Sequence, residues 1–340
     1  MGVADPERVS KAPDPPSPRR RLVRALLTAA SVACLLGCLA WTVAGLGWAP
    51  DMAAVFTFQI LIVTGVVLLA SSVVRAKAAG LITACALGLG VAGMVIGRDL
   101  VIAGPASPGE PTLRVLVFNS HALNAEHDAC ATLIRETDAD VVVLIEPEIE
   151  FSRWIRWDRS LEGAYPNLHT RDWVKGTVSP IIVLSRLPTA EIDFGRAPDE
   201  DRFLLGVEID TAFGPVALMA GQPRSPRSAS RWAAGGREAR LHAAAAHQLH
   251  EQGIPVLFCA DLNSTPAGAR GLTLRSVGLT PCKPLLSPAG TYPAALPWPA
   301  RIALDDAWRS DDLRVVSWDT VGPAGSDHMG VVVEVAPAAP

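Results

Sequence analysis

Long apolar stretches occupy the first third of the chain, and shorter apolar runs with polar ends occupy the rest. Three stretches that are nearly free of charge cover residues 22–48, 53–74 and 79–101. Each reaches the roughly 20 residues that a helix needs to cross a bilayer. Because backbone groups in lipid must be hydrogen-bonded within their own segment, we expect three transmembrane helices. A cleavable signal peptide is the alternative for the first stretch, but two more apolar stretches follow it directly.

Basic residues flank these stretches on one side of the predicted membrane. They are Arg19, Arg20, Arg21 and Arg24 before the first stretch, and Arg75 and Lys77 between the second and the third. Since cytoplasmic loops carry an excess of Lys and Arg, both groups should face the cytoplasm. Three crossings then predict a multi-pass protein of the cell membrane, with a cytoplasmic N-terminus and an extracytoplasmic domain after residue 103.

The remaining segments differ in composition. Residues 1–21 are rich in Pro, Ser and charge, and we expect them to be disordered on the cytoplasmic side. The predicted membrane region is residues 22–103. Residues 104–111 contain three prolines and two glycines and are typical of a linker. Residues 112–336 mix acids, bases and apolar residues, which predicts one globular domain.

Within this domain, runs of aliphatic and β-branched residues outnumber the segments with helical spacing. Strands are predicted at 112–119, 139–146, 180–186, 203–210, 215–221, 255–261, 301–308, 313–317 and 329–335, and helices at 126–137, 228–251 and 265–277. Many strands with few helices favour an α/β fold in which packed sheets are flanked by helices.

Composition limits the classes of function. Hydrophobic residues make up 49% of the chain and the formal net charge is −4. That charge gives no sign of the basic surface that duplex nucleic acid requires, although a local basic groove stays open. None of the six cysteines forms a CxxC pair. Cys259 lies in an apolar run, which favours a buried small side chain over the alternative, a disulfide with Cys282.

Several predicted strands end in polar or acidic residues. Asn119, Glu146, Asp261 and Asp305 all occupy such ends, and Asp327 lies near the last strand. Buried carboxylates that converge at one sheet edge are unstable without a cation or a histidine partner. Oxygen ligands without an HExxH motif or paired cysteines favour Mg²⁺ or Mn²⁺ over zinc.

In this order and spacing, the polar motifs resemble those of the endonuclease/exonuclease/phosphatase superfamily, with the deoxyribonuclease I fold, over residues 113–335. The motifs are Val-Phe-Asn119, Leu-Ile-Glu146-Pro, the strand that ends in Ser185-Arg186, Asp261-Leu-Asn263, Arg301-x-x-x-Asp305 and Ser326-Asp327-His328. The resemblance implies a four-layer α/β/β/α sandwich behind the membrane helices. It also implies a metal-dependent hydrolase of phosphoester or pyrophosphate bonds.

The resemblance assigns roles to the residues of these motifs. Glu146 would hold the metal with help from Asn119, and Asp327 would belong to the metal shell. His328, oriented by Asp305, would act as the acid/base group or stabilise the attacked phosphate.

Two further roles follow from the same resemblance. Asp261 would align or deprotonate the attacking water. Asn263 would hydrogen-bond the phosphate or the nucleophile.

The chain departs from the superfamily pattern at three positions. Ala260 replaces a glycine, and Asp306 follows Asp305 where His or Tyr is frequent. Gln222 stands where many members carry a histidine, and glutamine can bond a phosphate oxygen but cannot transfer a proton. We expect Gln222 and the following Arg224 to bind substrate, with a solvated basic turn as the alternative for the arginine.

Three hypotheses of function follow. Three spans before such a domain also resemble the vancomycin and teicoplanin resistance J-type proteins, which suggests a lipid-linked phosphate of the cell envelope as the substrate. Tethering at the bilayer raises the local concentration of such a substrate. An extracytoplasmic Mg²⁺-dependent nuclease is the second hypothesis, and a catalytically weak or silent binding module is the third.

Overall fold

The structure is a computed structural model that describes residues 17–95, 103–155, 159–171, 180–195, 204–285 and 287–338. Residues 1–16, most of the segment predicted to be disordered, lie outside the described residues. Pro18, Arg19, Arg20 and Arg21 already belong to the first helix.

Four helices form the N-terminal region. They are α1 (Pro18–Leu39), which continues as a 3₁₀ helix (Ala40–Leu46), α2 (Trp48–Val55), α3 (Thr57–Val73) and α4 (Lys77–Val95). Ser17 caps α1, because its hydroxyl accepts a hydrogen bond from the Arg20 amide at 3.4 Å and Pro18 takes the first helical position. Cys34, Cys38 and Ala86 form a small buried cluster between α1 and α4.

The structure corrects the prediction of three spanning helices. By length and composition, one described helix qualifies as a span, namely α1 with its 3₁₀ extension (Pro18–Leu46). The second stretch is broken at Phe56 into α2 and α3, whose axes differ by 66°, and it qualifies only if this bent pair counts as one span. The apolar part of α4 within the described residues, Lys77–Gly93, is shorter than a span, and residues 96–101 lie outside them.

The globular region contains two mixed six-stranded sheets, which confirms the α/β class. The strands are β1 (Leu113–Asn119), β2 (Val141–Ile145), β3 (Asn167–Arg171), β4 (Ile181–Ser185), β5 (Thr189–Glu191), β6 (Leu204–Thr211), β7 (Gly214–Gly221), β8 (Val256–Asp261), β9 (Thr280–Pro281), β10 (Asp305–Arg309), β11 (Leu313–Val321) and β12 (Gly330–Pro337). Sheet 1 has the order β11-β12-β1-β2-β4-β3, and sheet 2 has the order β5-β6-β7-β8-β10-β9. The pairs β1/β2 and β7/β8 are parallel.

Helices cover the outer faces of both sheets. They are α5 (His127–Thr137), α6 (Ile149–Ile155), α7 (Arg159–Ala164), α8 (Ala229–Glu251) and α9 (Ala269–Arg275). Ser228 caps the N-terminus of α8, because its hydroxyl accepts a hydrogen bond from the Arg231 amide at 3.3 Å. Gly253, at φ +77°, follows its end and adopts the left-handed conformation that favours glycine.

Alternating side chains divide the core into three layers. The central layer, which includes Val117 and Val143 of sheet 1 and Leu218 and Leu257 of sheet 2, lies between the two sheets. A second layer packs sheet 1 against α5, α6 and α7. A third packs sheet 2 against α8 and α9, with the fully buried Trp308.

Two sequence expectations change in detail. The strand expected at 301–308 begins only at Asp305, because a 3₁₀ helix (Trp298–Ala300) and an isolated bridge between Tyr292 and Ile302 precede it. Short strands β3, β5 and β9 have no counterpart among the predictions.

Cys259 and Cys282 are both buried and free, so the small hydrophobic role holds and the alternative disulfide is not formed.

Candidate active site

The polar strand ends meet because of how the strands run. Asn119 ends β1 and Glu146 follows the parallel strand β2, so both lie at the same edge of sheet 1. Asp261 ends β8, and Asp305 begins the antiparallel β10 directly opposite it. His328 precedes β12, which is antiparallel to β1. The carboxyl ends of some strands and the amino ends of their antiparallel neighbours therefore share one edge of the molecule.

Asp261 is fixed at the centre of this edge. It is 1% exposed, and its Oδ2 accepts hydrogen bonds from Nδ2 of Asn119 at 3.0 Å and of Asn263 at 3.3 Å. The Asn263 amide donates to Oδ1 at 2.8 Å. Since these donors come from the end of β1 and from the loop after β8, the carboxylate cannot rotate freely, and it joins sheet 1 to sheet 2.

His328 and Asp305 form a buried pair. Nδ1 of His328 donates to Oδ2 of Asp305 at 2.8 Å, which leaves Nε2 as the ring nitrogen available to a substrate. The ring of Tyr292 packs on the imidazole, with 4.7 Å between centroids. The hydroxyl of Ser326 accepts the His328 amide at 3.0 Å and donates to the Asn119 carbonyl at 2.7 Å, so the Ser-Asp-His segment is tied to β1.

The charges of this cluster perturb one another. Burial lowers the pKa of His328, but the charge and hydrogen bond of Asp305, together with Asp261 and Asp327, outweigh it and raise the pKa to about 10. Burial, followed by the charge of Asp305, raises the pKa of Asp261 well above its usual range. The ionisation of Asp261 and that of His328 therefore depend on each other and on Asp305.

The donors at this edge fit a hard divalent metal. Oxygen atoms of Asp261 and Asp305 and a ring nitrogen of His328 all lie within 4.8 Å of one another. Oδ1 of Asp327 is buried and has no hydrogen-bond partner among the described residues, with Nδ1 of His121 3.8 Å away. Glu146 lines the same cavity as these residues. Carboxylate oxygens without a partner are the ligands that Mg²⁺ or Mn²⁺ prefers.

Three residues of the cavity have left-handed backbone conformations. Glu146, Asn263 and His121 have φ angles of +52°, +48° and +65°, in the left-handed region that non-glycine residues seldom adopt. Such conformations cost about 1 kcal/mol or more each and persist where the surroundings impose them. Here the imposed conformation turns polar side chains toward one cavity.

The cavity measures about 310 Å³ and is lined by both polar and apolar residues. Its polar lining comprises Asn119, His121, Glu146, Ser225, Arg227, Asp261, Asn263, Tyr292, Asp327 and His328, and its apolar lining comprises Met52, Val55, Phe56, Pro226, Ile302 and Leu304. The pattern of strand ends indicated most of the polar set. Tyr292 and the residues of α2 were missed, because neither belongs to a motif of the globular domain.

The structure gives other partners to the residues expected to bind substrate. Nε2 of Gln222 donates to Oε1 of Glu146. The backbone amide of Arg224 donates to Glu238 at 2.8 Å, and its guanidinium lies 3.0 Å from the same carboxylate. Neither residue lines the cavity, so their contact with substrate stays a prediction. The basic side chain in the cavity wall is that of Arg227.

The other two departures are accommodated by packing. Ala260 is buried in the outer core of sheet 2. Asp306 is also buried, and it accepts hydrogen bonds from Nε1 of Trp318 at 2.9 Å and from the amide of Lys283 at 3.1 Å. Asp306 therefore does not line the cavity beside His328.

Comparisons with known proteins agree with this geometry. A sequence model described as the Endonuclease/Exonuclease/phosphatase family matches residues 115–328, which is more than half of the chain and contains every motif from Asn119 to His328. Comparison with curated proteins gives no match.

Solved structures share the fold. The catalytic domain of human Nocturnin with bound sulfate is 19% identical, with a TM-score of 0.50 over 67% of this chain and 96% of that one. A humanized D. rerio TDP2 is 15% identical, with a TM-score of 0.51 over 66% and 98%. A functionally unknown conserved protein from Enterococcus faecalis V583 is 13% identical, with a TM-score of 0.51 over 66% and 100%.

Proposed function

Since the chain belongs to the endonuclease/exonuclease/phosphatase family, whose members hydrolyse phosphoester bonds, we propose that it is a membrane-tethered, metal-dependent phosphoesterase. Its substrate is a phosphoester or pyrophosphate on a lipid-linked molecule of the cell envelope, and Mg²⁺ or Mn²⁺ is its metal. The observation that carries this proposal is the buried set of Asp261, Asp305 and His328 at a cavity that Glu146 and Asp327 also line.

Glu146, Asn119 and Asp327 would hold the metal. When bound, the ion would neutralise phosphate oxygens and the charge that builds up on the leaving oxygen. Gln222 keeps Glu146 in place through its hydrogen bond, and such supporting partners orient metal ligands.

The remaining side chains would act on the substrate and on water. Asp261, held by Asn119 and Asn263, is oriented to align a water or accept its proton. Nε2 of His328, with Nδ1 held by Asp305, would donate a hydrogen bond or a proton to a phosphate oxygen. Arg227 supplies a positive charge in the cavity wall for the anionic substrate.

Exposed apolar side chains support the membrane tether. Leu36, Val66, Leu69 and Leu81 are 65%, 62%, 68% and 69% exposed on α1, α3 and α4. A soluble protein does not keep apolar patches of this extent in contact with water. Together with the span-like Pro18–Leu46 helix, they favour a bilayer as the surroundings of these helices.

Basic residues at one end of the helices, and a contact with the globular domain at the other end, support an extracytoplasmic domain. Arg24, Arg75 and Lys77 lie together at one end of the helices. At the other end of α3, Gln59 donates to the Arg301 carbonyl of the globular domain at 2.7 Å. Under the positive-inside rule, the basic end is cytoplasmic and the domain lies outside.

This orientation predicts the behaviour of reporter fusions. Alkaline phosphatase fused after Pro340 is expected to be active in intact cells, because that enzyme matures only outside the cytoplasm, whereas a green fluorescent protein fusion at the same place is not. Green fluorescent protein fused before Met1 is the control and should fluoresce, because the basic start of α1 lies in the cytoplasm. A fluorescent C-terminal fusion with inactive phosphatase would contradict the orientation.

The proposed activity predicts phosphate release by the purified full-length chain in detergent. With Mg²⁺, we expect release from a polyprenyl pyrophosphate and none after EDTA treatment, because the acids need the cation to bind phosphate. Plasmid DNA and a phosphoinositide serve as comparison substrates.

Other outcomes of this assay identify the rivals. Cleavage of plasmid DNA without attack on the pyrophosphate would support the extracytoplasmic nuclease. Absence of any turnover, with no Mg²⁺ or Mn²⁺ bound in calorimetry, would support the silent binding module.

A further inference from the structure

The N-terminal helices contribute directly to the catalytic cavity. Met52, Val55 and Phe56, from α2 and the bend behind it, line the same cavity as Glu146, Asp261 and His328, although about 90 residues or more separate them along the chain. The globular domain by itself therefore provides only part of the cavity wall. The remaining part comes from the region that we propose to lie at the membrane.

Specific contacts dock α2 on the globular domain. Asp51 is 1% exposed, and its two oxygens accept hydrogen bonds from Nε1 of Trp232 on α8 and from the amide of Ala269 at the start of α9, both at 2.7 Å. Nε1 of Trp48 donates to the Pro226 carbonyl at 2.7 Å. Pro226 and Arg227 belong to the same loop of the cavity wall, so α2 contacts the loop that carries Arg227.

Close packing leaves little freedom in this arrangement. A Cβ on Gly268, the residue before α9, would lie 2.3 Å from the hydroxyl oxygen of Ser264 and 3.0 Å from Oδ1 of Asp51. A side chain at that position would push α2 away from α9. The buried carboxylate and the glycine together indicate a fixed wall.

The side chains that α2 and its neighbours contribute to the cavity are apolar, so they suit a hydrocarbon and not a phosphate. Besides the acids and Arg227, the lining includes Met52, Val55, Phe56, Ile302 and Leu304. These side chains have no group that could bond a phosphate oxygen or a sugar hydroxyl. They can bury an aliphatic chain attached to the phosphate.

Exposed apolar side chains also occur on the neighbouring helices. Phe56 is 47% exposed at the bend between α2 and α3, and Leu46 before it and Val63 after it in the sequence are 83% and 53% exposed. These helices offer apolar surface to a chain that leaves the cavity beside Phe56. The 66° bend separates α2, which lines the cavity, from α3.

We infer that α2 and Phe56 form a tail-binding wall, and that the site takes a phosphate or pyrophosphate carrying a long aliphatic chain. This inference rests on the proposed phosphoesterase function and assigns recognition of the lipid chain of its substrate to α2 and Phe56. Met52 and Phe56 are specificity-determining residues, because they contact the chain and leave the hydrolysed bond to the acids. Head-group chemistry and chain recognition then come from two different parts of the protein.

The test compares two pyrophosphates that differ in chain length, using the full-length protein in detergent with Mg²⁺. Farnesyl pyrophosphate has a long chain and isopentenyl pyrophosphate a short one. Phe56→Ala is expected to raise KM for farnesyl pyrophosphate about 10-fold, the scale of losing a few methylene contacts, while kcat/KM for isopentenyl pyrophosphate stays constant. Met52→Ala should act in the same direction.

Matched controls are Val66→Ala and Leu69→Ala, which shorten exposed apolar side chains of α3 outside the cavity. They should change neither substrate's kinetics, and all variants should keep the thermal unfolding midpoint of the parent. An equal loss on both pyrophosphates, or no loss on either, would overturn the tail-binding wall while leaving the phosphoesterase intact. If the parent protein hydrolyses neither pyrophosphate, the proposed function itself fails. DNA cleavage that depends on Phe56 would assign the wall to base stacking and overturn the lipid assignment.

Discussion

Replacing His328 with alanine is expected to lower kcat for phosphate release about 10³-fold, the middle of the range for a lost acid/base group. The ring is held by Asp305 at 2.8 Å and by the packing of Tyr292, so its position is set before substrate binds. KM should change little if His328 acts mainly in the transition state. Steady-state release of phosphate from the lipid pyrophosphate measures both constants.

The Asp305→Asn variant tests the role of Asp305 in orienting and charging the His328 ring, separately from the loss of the ring itself. The neutral side chain of Asn can still accept the hydrogen bond from Nδ1 of His328, but it cannot stabilise a positive charge on the imidazole. We therefore expect about a 10²-fold loss of kcat. His247→Ala, which removes an exposed histidine of α8, is the matched control and should behave as the parent protein. Full activity of His328→Ala would exclude the role assigned to the imidazole.

Glu146→Gln is expected to reduce kcat/KM about 10³-fold and to weaken Mg²⁺ binding. A bound cation contributes several kcal/mol of transition-state stabilisation, and each 1.36 kcal/mol corresponds to a factor of 10 in rate. Glutamine keeps the size of the side chain but removes the charge that attracts the ion. Activity titrated against Mg²⁺ and calorimetry of Mg²⁺ binding in the absence of substrate provide two independent readouts.

Gln222→Leu should have a smaller effect of the same kind. It removes the hydrogen bond to Oε1 of Glu146 and leaves the carboxylate in place, so we expect the apparent affinity for Mg²⁺ to fall about 10- to 100-fold. Glu251→Gln, at an exposed position of α8, is the matched control. If Glu146→Gln titrates with Mg²⁺ like the parent protein, Glu146 is not the metal ligand.

The candidate active-site edge could be anticipated because it depends on the order of local motifs. An aliphatic run followed by a polar residue indicates both the strand and its end, as for Val-Phe-Asn119 and Leu-Ile-Glu146. Once the fold is known from the family resemblance, parallel strands must bring such ends to one edge. The hydrogen bond from Asn119 to Asp261 and the pair of His328 with Asp305 realise that expectation.

The sequence motifs did not predict which polar side chains pair with one another. Gln222 and Arg224 follow β7, where a substrate phosphate was expected, yet the structure pairs them with Glu146 and Glu238. Tyr292 reaches His328 through an irregular segment that has no periodic signal.

The amino-acid sequence by itself determined the apolar N-terminal region, the strand-rich α/β domain and the set of acids with one histidine, because hydropathy and strand ends are local properties of the chain. Tertiary structure alone decided that the second apolar stretch bends at Phe56 and that Asp51 docks α2 beside the candidate active site. The hydropathy of a segment indicates that it is buried away from water, but not whether lipid or protein surrounds it. Contacts between residues more than 200 positions apart make this choice, as those of Asp51 with Ala269 and of Gln59 with Arg301 do here.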